Sequence, residues 1–132
     1  MSVVYIIAAS AAGPCKIGWT GSGVTSRVAA LQCGNPDELL VYGYVAARAA
    51  RRVELEAHRK LERCRVRGEW FAVSVAEAGE TLRRCSLDVG GADILWLITE
   101  DVWVKRLRGG PAGSTFEVPA DRDWSKPLVC VA

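Results

Sequence analysis

The sequence predicts a small α/β domain, more strictly α+β, in which strands and helices alternate along its first two thirds. The chain has 132 residues, enough for one compact domain and a small appendage. Half of its residues are apolar and 24% are charged, which is usual for a globular protein and unusual for a disordered one. Segments rich in β-branched and aromatic residues alternate with segments whose apolar residues recur every three or four positions.

The first two predicted strands form a hairpin. Val3–Ala9 is rich in β-branched residues and ends at a loop that contains Gly13-Pro14, and Cys15–Thr20 follows as a second short strand. Roughly five small residues join them, a length typical of hairpin loops. No lysine or arginine precedes the short apolar stretch, so we interpret it as a buried strand and not as a signal peptide.

Helical spacing dominates the middle of the chain. Thr25–Cys33 is predicted as a short helix that stops at Gly34-Asn35-Pro36, and Leu39–Val45 as a third strand. Ala46–Arg63 is the longest predicted helix, and its apolar residues are spaced three and four apart. These residues are Ala50, Val53, Ala57, Leu61 and Cys64.

Beyond this helix the pattern is less regular. Trp70–Val73 is predicted to be extended, and Ser74 caps a further helix that reaches about Arg84. Ile94–Ile98 and Thr115–Val118 also have the composition of strands.

The charge balance changes sign near residue 87 and predicts a boundary there. Residues 1–86 contain 12 Lys/Arg and 8 Asp/Glu, whereas residues 87–132 contain 5 and 7. An extension of about 45 residues can scarcely support its own core without disulfides or metal. We therefore expect it to pack on the first unit or on a second copy of the chain, which would make a homodimer.

Composition also limits the environment of the protein. No apolar run approaches the roughly 18 residues that a membrane span needs. The five cysteines form no CxxC pair, which favours small buried side chains in a reducing compartment, and we expect the cytoplasm. The net charge of +2 is too small to identify a nucleic-acid binder by itself.

The residues with the chemistry of an active site lie in the first 71 positions. Tyr5 lies on the first strand, Lys16 on the second and Arg27 on the following helix. Glu54 and His58 are four residues apart, so they share one helix face beside the apolar stripe. Polar groups in that position are held rigidly by the core while they face a cleft.

Five segments with these residues resemble the GIY-YIG endonuclease superfamily, in the phage-associated branch with KIG and GEWF motifs. The resemblance covers residues 3–85, about two thirds of the chain, and the segments occur in the family's order. The segments are VYII (Val4–Ile7), KIGWT (Lys16–Thr20), RVAALQCGNPDELL (Arg27–Leu40), VELEAH (Val53–His58) and RVRGEWF (Arg65–Phe71).

The resemblance implies a three-stranded antiparallel sheet flanked by helices, and metal-dependent cleavage of DNA phosphodiester bonds with Mg²⁺ or Mn²⁺. Tyr5 then activates the attacking water, and Lys16 replaces a second tyrosine and favours the phenolate form of Tyr5. Arg27 grips the scissile phosphate, and Glu54 binds the divalent cation. His58 belongs to the same helix signature. The family's terminal asparagine has no counterpart in this sequence.

A basic run on and after the long helix is the expected phosphate-binding surface of such a nuclease. Between Arg48 and Arg67 there are 8 basic and 3 acidic residues. The predicted DNA-binding residues are Arg48, Arg51, Arg52, Arg59, Arg65 and Arg67. A solvated helix face is the alternative interpretation of the same residues.

Structural roles are the alternative for the site residues too. Tyr5 would be a core tyrosine, and Arg27 would pair with Asp37 or Glu38. Glu69 would pair with Arg65 or Arg67. Zinc is disfavoured, because Glu54 and His58 supply only two ligands and the chain has no second histidine.

Two other functions remain open on the same fold. One is a DNA-binding module that has lost cleavage. The other is a protein-interaction or inhibitor domain, which predicts an exposed apolar patch around Trp96, Trp103 and Trp124.

Overall fold

The computed structural model describes residues 2–21, 24–47, 49–90 and 94–98. This part of the chain forms six strands, three α-helices and one short 3-10 helix, Glu62–Cys64. The strands and helices are β1 (Val3–Ala8), β2 (Cys15–Thr20), α1 (Val24–Gln32), β3 (Leu40–Ala47), α2 (Ala50–Lys60), β4 (Arg65–Arg67), β5 (Trp70–Phe71), α3 (Val75–Gly90) and β6 (Ile94–Ile98).

The six strands form one antiparallel sheet in the order β4-β5-β2-β1-β3-β6. The predicted α+β class and the β1–β2 hairpin are confirmed. The expected sheet of three strands is too narrow, because β5 and β4 extend it beside β2 and β6 extends it beside β3. Strands as short as β4 and β5 acquire their conformation from cross-strand pairing, which periodicity along the sequence does not reveal.

Two apolar layers cover the sheet, since successive strand residues point to opposite faces. One layer, with Ile6 and Ile17 of the sheet, packs against α2 and α3 through residues such as Val53 and Leu82. The other layer contains Tyr5 and packs against α1. Its buried members are Tyr5, Ile7, Val24, Leu39, Val41 and Tyr44.

The longest predicted helix is shorter than its sequence pattern indicates. The prediction was Ala46–Arg63, whereas α2 spans Ala50–Lys60. Ala46 and Ala47 continue β3 because their backbones pair with β6, and this pairing outweighs the helix preference of alanine. The predicted apolar stripe is confirmed, since Ala50, Val53, Ala57 and Leu61 are buried.

Helix α3 begins where the sequence predicts and ends later. The hydroxyl of Ser74 accepts a hydrogen bond from the backbone N–H of Glu77 at 3.2 Å, which is the predicted N-cap. The helix then continues past Arg84 to Gly90, so the predicted boundary at residues 86/87 falls within α3. The backbone of β6 joins the same sheet.

The rest of the C-terminal extension lies outside the described residues. This applies to the expected strand Thr115–Val118, to Trp103 and Trp124, and to the expected contact with a second copy. The domain boundary and the packing of residues 87–132 stay predictions.

Four cysteines fall in the described part of the chain, and all four are unpaired. Cys15 and Cys85 are buried as expected, whereas Cys33 is exposed. Burial raises the pKa of Cys15 to about 11, so its thiol stays protonated and donates to the carbonyl oxygen of Val73. No helix among the described residues is long and apolar enough to cross a membrane.

Candidate active site

A cleft of about 480 Å³ lies beside the C-terminal half of β2. Strand β5 pairs with Cys15 and Lys16 and ends there, and the backbone N–H of Ile17 donates to the carbonyl oxygen of Glu69. From Gly18 onward β2 pairs with β1 on one side and borders the cleft on the other. The cleft is lined by Trp19, Thr20, Ser26, Arg27, Ala30, Arg51, Glu54 and Glu69.

Glu54 is the most deeply buried carboxylate of this cleft, with 2% of its surface exposed. Its Oε1 accepts a hydrogen bond from Arg51 Nη1 at 3.1 Å, and the backbone N–H of Trp19 also donates to the carboxylate. Its Oε2 is buried and has no hydrogen-bond partner in the described part of the chain. A buried oxygen in that state costs free energy unless a ligand contacts it.

The environment of Glu54 opposes its negative charge. Burial is the largest cause of a raised pKa, and the negative charge of Glu69 is the next. His58, Arg51 and the backbone N–H of Trp19 act in the opposite direction without cancelling the shift. A cation at Oε2 would remove this penalty, because it favours the ionised form.

His58 is held against β2 and not in open solvent. Its Nε2 lies 2.7 Å from the carbonyl oxygen of Ile17, and its ring packs 5.1 Å from the ring of Phe71. A carbonyl oxygen only accepts hydrogen bonds, so Nε2 carries the proton and donates it. The contact ties α2 to β2 one helical turn from Glu54.

Tyr5 and Arg27 are in direct contact. Tyr5 is fully buried, and its hydroxyl accepts a hydrogen bond from Arg27 Nε at 3.3 Å. This bond is the largest cause of the raised pKa of Arg27. The alternative pairing of Arg27 with Asp37 or Glu38 is not observed among the described residues.

Lys16 contacts Glu69, which the sequence assigned to other partners. The Lys16 Nζ to Glu69 Oε2 distance is 2.9 Å, and Lys16 is only 8% exposed. The alternative pairing of Glu69 with Arg65 or Arg67 is not observed among the described residues. Arg27, and not Lys16, is the cation that makes a hydrogen bond with the Tyr5 hydroxyl.

The close approach of Tyr5 and Glu69 requires a glycine between them. A Cβ atom at Gly18 would lie 2.6 Å from the hydroxyl oxygen of Tyr5 and 2.9 Å from Glu69 Oε2. Both distances are shorter than any ordinary contact, so a side chain at this position would displace one group or the other. Gly18 thus allows the phenol and the carboxylate to converge.

The predicted DNA-binding arginines have different surroundings. Arg51 lines the cleft, with its guanidinium 5.8 Å from the ring centroid of Trp19. Arg59 pairs with Glu56, and Arg65 pairs with Glu62, so their charges are partly neutralised. The remaining predicted residues are Arg52 and Arg67, which are exposed, and Arg48, which lies outside the described residues.

The carboxylate oxygens of the cleft are donors of the kind that a hard divalent cation uses. No group of three or more His, Cys, Asp or Glu side chains capable of holding a metal occurs in the part that the structure describes. Mg²⁺ and Mn²⁺ need fewer protein ligands, since one or two carboxylates together with phosphate oxygens and water complete their coordination. The buried, unpartnered Oε2 of Glu54 supplies such an oxygen.

Sequence reasoning named Tyr5, Lys16, Arg27, Arg51 and Glu54, and it did not anticipate that Glu69 meets Lys16. Glu69 and Lys16 are 53 residues apart and meet only because β5 pairs with β2. The Arg51–Glu54 pair could have been anticipated, because residues three apart on a helix are neighbours.

The fold and the site together define an α+β domain whose cleft contains a buried glutamate, Glu54, and two arginines, Arg27 and Arg51. The T5orf172 domain matches residues 2–86, and the chain belongs to this family. The domain is a phage-associated, GIY-YIG-like fold of nuclease-like proteins, which agrees with the superfamily expected from the sequence. No curated protein matches the chain, and no solved structure does.

Proposed function

We propose that this protein is a metal-dependent endonuclease that hydrolyses DNA phosphodiester bonds. The observation that best supports the proposal is the buried Glu54, whose unpartnered Oε2 lies in one cleft with Arg27. A purely structural glutamate would have both oxygens satisfied by the protein.

Each group of the cleft has a chemical role in this proposal. Glu54 would hold the divalent cation, which when bound supplies positive charge to the scissile phosphate. Arg27 binds a non-bridging phosphate oxygen and offsets the charge that develops there. His58 keeps Glu54 in place through its bond to the Ile17 carbonyl.

Tyr5 is the proposed base. In the phenolate form it takes a proton from a water molecule while that water attacks phosphorus. The bond between phosphorus and the leaving oxygen breaks, and solvent supplies the proton that this oxygen needs. Because Tyr5 has no exposed surface, Arg27 must turn from the hydroxyl towards the phosphate before water can reach it.

Lys16 has a different role from the one expected at first. Its ammonium neutralises Glu69 at 2.9 Å, and this keeps a second negative charge from repelling the phosphate. Arg51, Arg52 and Arg67 are then the side chains proposed to contact the flanking DNA backbone, with an affinity that falls as salt rises.

A cleavage assay tests the proposal. The full-length chain is incubated with plasmid DNA in Mg²⁺ or Mn²⁺, beside a sample that contains EDTA. We expect nicking or linearisation only with the metal, and a loss of at least ~100-fold in Glu54→Gln, because the side chain that holds the ion is gone.

Glu56→Gln is the matched control. Glu56 lies on the same helix but pairs with Arg59 outside the cleft, so this variant should cleave at the wild-type rate. Equal cleavage by Glu54→Gln and wild type would contradict the proposal. DNA binding without cleavage in any metal would instead identify a DNA-binding module that has lost its activity.

A further inference from the structure

Glu69 is carried to the cleft by a short turn between β4 and β5. Gly68 adopts a φ of +56°, which favours glycine and allows the tight reversal before Glu69. The Glu69 carbonyl oxygen then accepts the Ile17 N–H at 3.1 Å, which fixes the turn to β2. The backbone of Glu69 is therefore anchored at the point where the cleft begins.

The side chain of Glu69 faces the same space as Glu54. Both carboxylates line this one cleft. Glu54 Oε2 is almost fully buried and has no hydrogen-bond partner among the residues that the structure describes. Two carboxylates that face one cleft are an arrangement that a divalent cation stabilises.

Lys16 neutralises the charge of Glu69. Its Nζ contacts Glu69 Oε2 at 2.9 Å and lies 6.0 Å from the centroid of the Trp70 ring. An ammonium and a divalent cation that use the same carboxylate compete for it. Removal of the ammonium should therefore strengthen metal binding if Glu69 is a ligand.

We propose that Glu69 is a second carboxylate ligand of the divalent cation that Glu54 holds, and that Lys16 competes with the cation for Glu69. The inference rests on the proposed function and extends it from one protein ligand to two. It also gives the Lys16–Glu69 pair a role beyond stability.

Calorimetric titration of the full-length chain with Mn²⁺ alone, without DNA, tests this inference. Loss of an outer-shell partner already lowers metal affinity roughly 10- to 100-fold, so we expect Glu69→Gln to weaken Mn²⁺ binding at least ~10-fold. Lys16→Met should strengthen binding several-fold, and this gain should vanish in the double variant Lys16→Met/Glu69→Gln. Glu62→Gln, which removes an exposed carboxylate paired with Arg65, should bind as the wild type does.

Each outcome is decisive. A gain of affinity in Lys16→Met cannot arise from misfolding, so that variant remains informative if Glu69→Gln is unstable. Wild-type affinity in Glu69→Gln would overturn the inference, and so would an equal gain from Lys16→Met in both backgrounds. If Glu54→Gln abolishes binding while Glu69→Gln does not, the proposed function stands without the second ligand. A wild-type chain that binds no Mn²⁺ would overturn both.

Discussion

The two halves of β2 have opposite surroundings although they belong to one strand of six residues. The paired half, Cys15–Ile17, lies between β1 and the β5 segment, and its side chains are buried. The cleft half, Gly18–Thr20, pairs with β1 and borders the cleft that contains Glu54 and Arg27. The change occurs at Ile17, whose N–H and C=O bind Glu69 and His58.

This difference shows how the fold separates stability from chemistry. The paired half has strands on both sides and an apolar layer behind it. Its residues therefore contribute to stability mainly through the apolar surface that they bury. In the cleft half, the end of β5 leaves room for side chains from α1, α2 and the β4–β5 turn to converge. Substitutions in the two regions should therefore affect different measurements.

The largest loss of stability is expected in the paired half. Phe71 is fully buried opposite Cys15 and packs against the ring of His58. Phe71→Ala should lower the free energy of unfolding by about 3–5 kcal/mol, because it leaves a cavity beneath the sheet. Urea denaturation measures this change. A loss below about 1 kcal/mol would show that β5 does not support the sheet.

Gly18 in the cleft half and Gly21, which directly follows β2, form a matched pair of glycines. Gly18→Ala should destabilise the protein by about 1–3 kcal/mol and reduce cleavage, because the new Cβ displaces Tyr5 or Glu69. Gly21→Ala is the control, since its Cβ would meet Trp19 at an ordinary 3.5 Å. Thermal unfolding and the plasmid assay measure both effects. Equal melting temperatures and equal cleavage rates of the two variants would contradict the close approach of Tyr5 and Glu69 to Gly18.

The pH dependence of stability should identify Glu54. Its pKa is raised in the folded protein, so the native state binds a proton more tightly than the unfolded state does. The free energy of unfolding should then fall as pH rises from the ordinary carboxyl pKa, ~4.3, through the raised value. Glu54→Gln lacks this charge.

Urea denaturation of both proteins across that pH range measures the effect. The stability of Glu54→Gln relative to wild type should increase with pH and then level off above the raised pKa. A relative stability that stays constant, or that decreases with pH, would contradict the assignment.

The smallest effects are expected on the outer face of α2. Arg52 is exposed and has no ion pair among the described residues, whereas Arg59 is paired with Glu56. The logarithm of the DNA-binding constant falls linearly with the logarithm of the salt concentration, and Arg52→Ala should reduce the magnitude of this slope by about one. Arg59→Ala should reduce it by less. Fluorescence anisotropy with a labelled duplex in EDTA measures the slopes. Equal slopes in wild type and Arg52→Ala would remove Arg52 from the DNA contacts.

Local patterns predicted much of the framework. The hairpin follows from strand composition, and the shared face of Glu54 and His58 follows from their spacing of four residues. The end of β3 was missed because pairing with β6, and not local propensity, sets the conformation of Ala46 and Ala47. Lys16 and Glu69 were missed as a pair for the same reason, since only the sheet brings them together.

The central claim is that the cleft beside Gly18–Thr20 of β2 binds a divalent cation through Glu54 of α2. Titration of ¹⁵N-labelled full-length protein with Mg²⁺, followed by NMR, tests it directly. We predict saturable shifts of the Trp19 amide, which donates to Glu54, and of the neighbouring Gly18, with little change at Phe71 in the paired region. These shifts should be absent in Glu54→Gln. Shifts confined to the outer face of α2, or shifts at Trp19 that persist in Glu54→Gln, would contradict the claim.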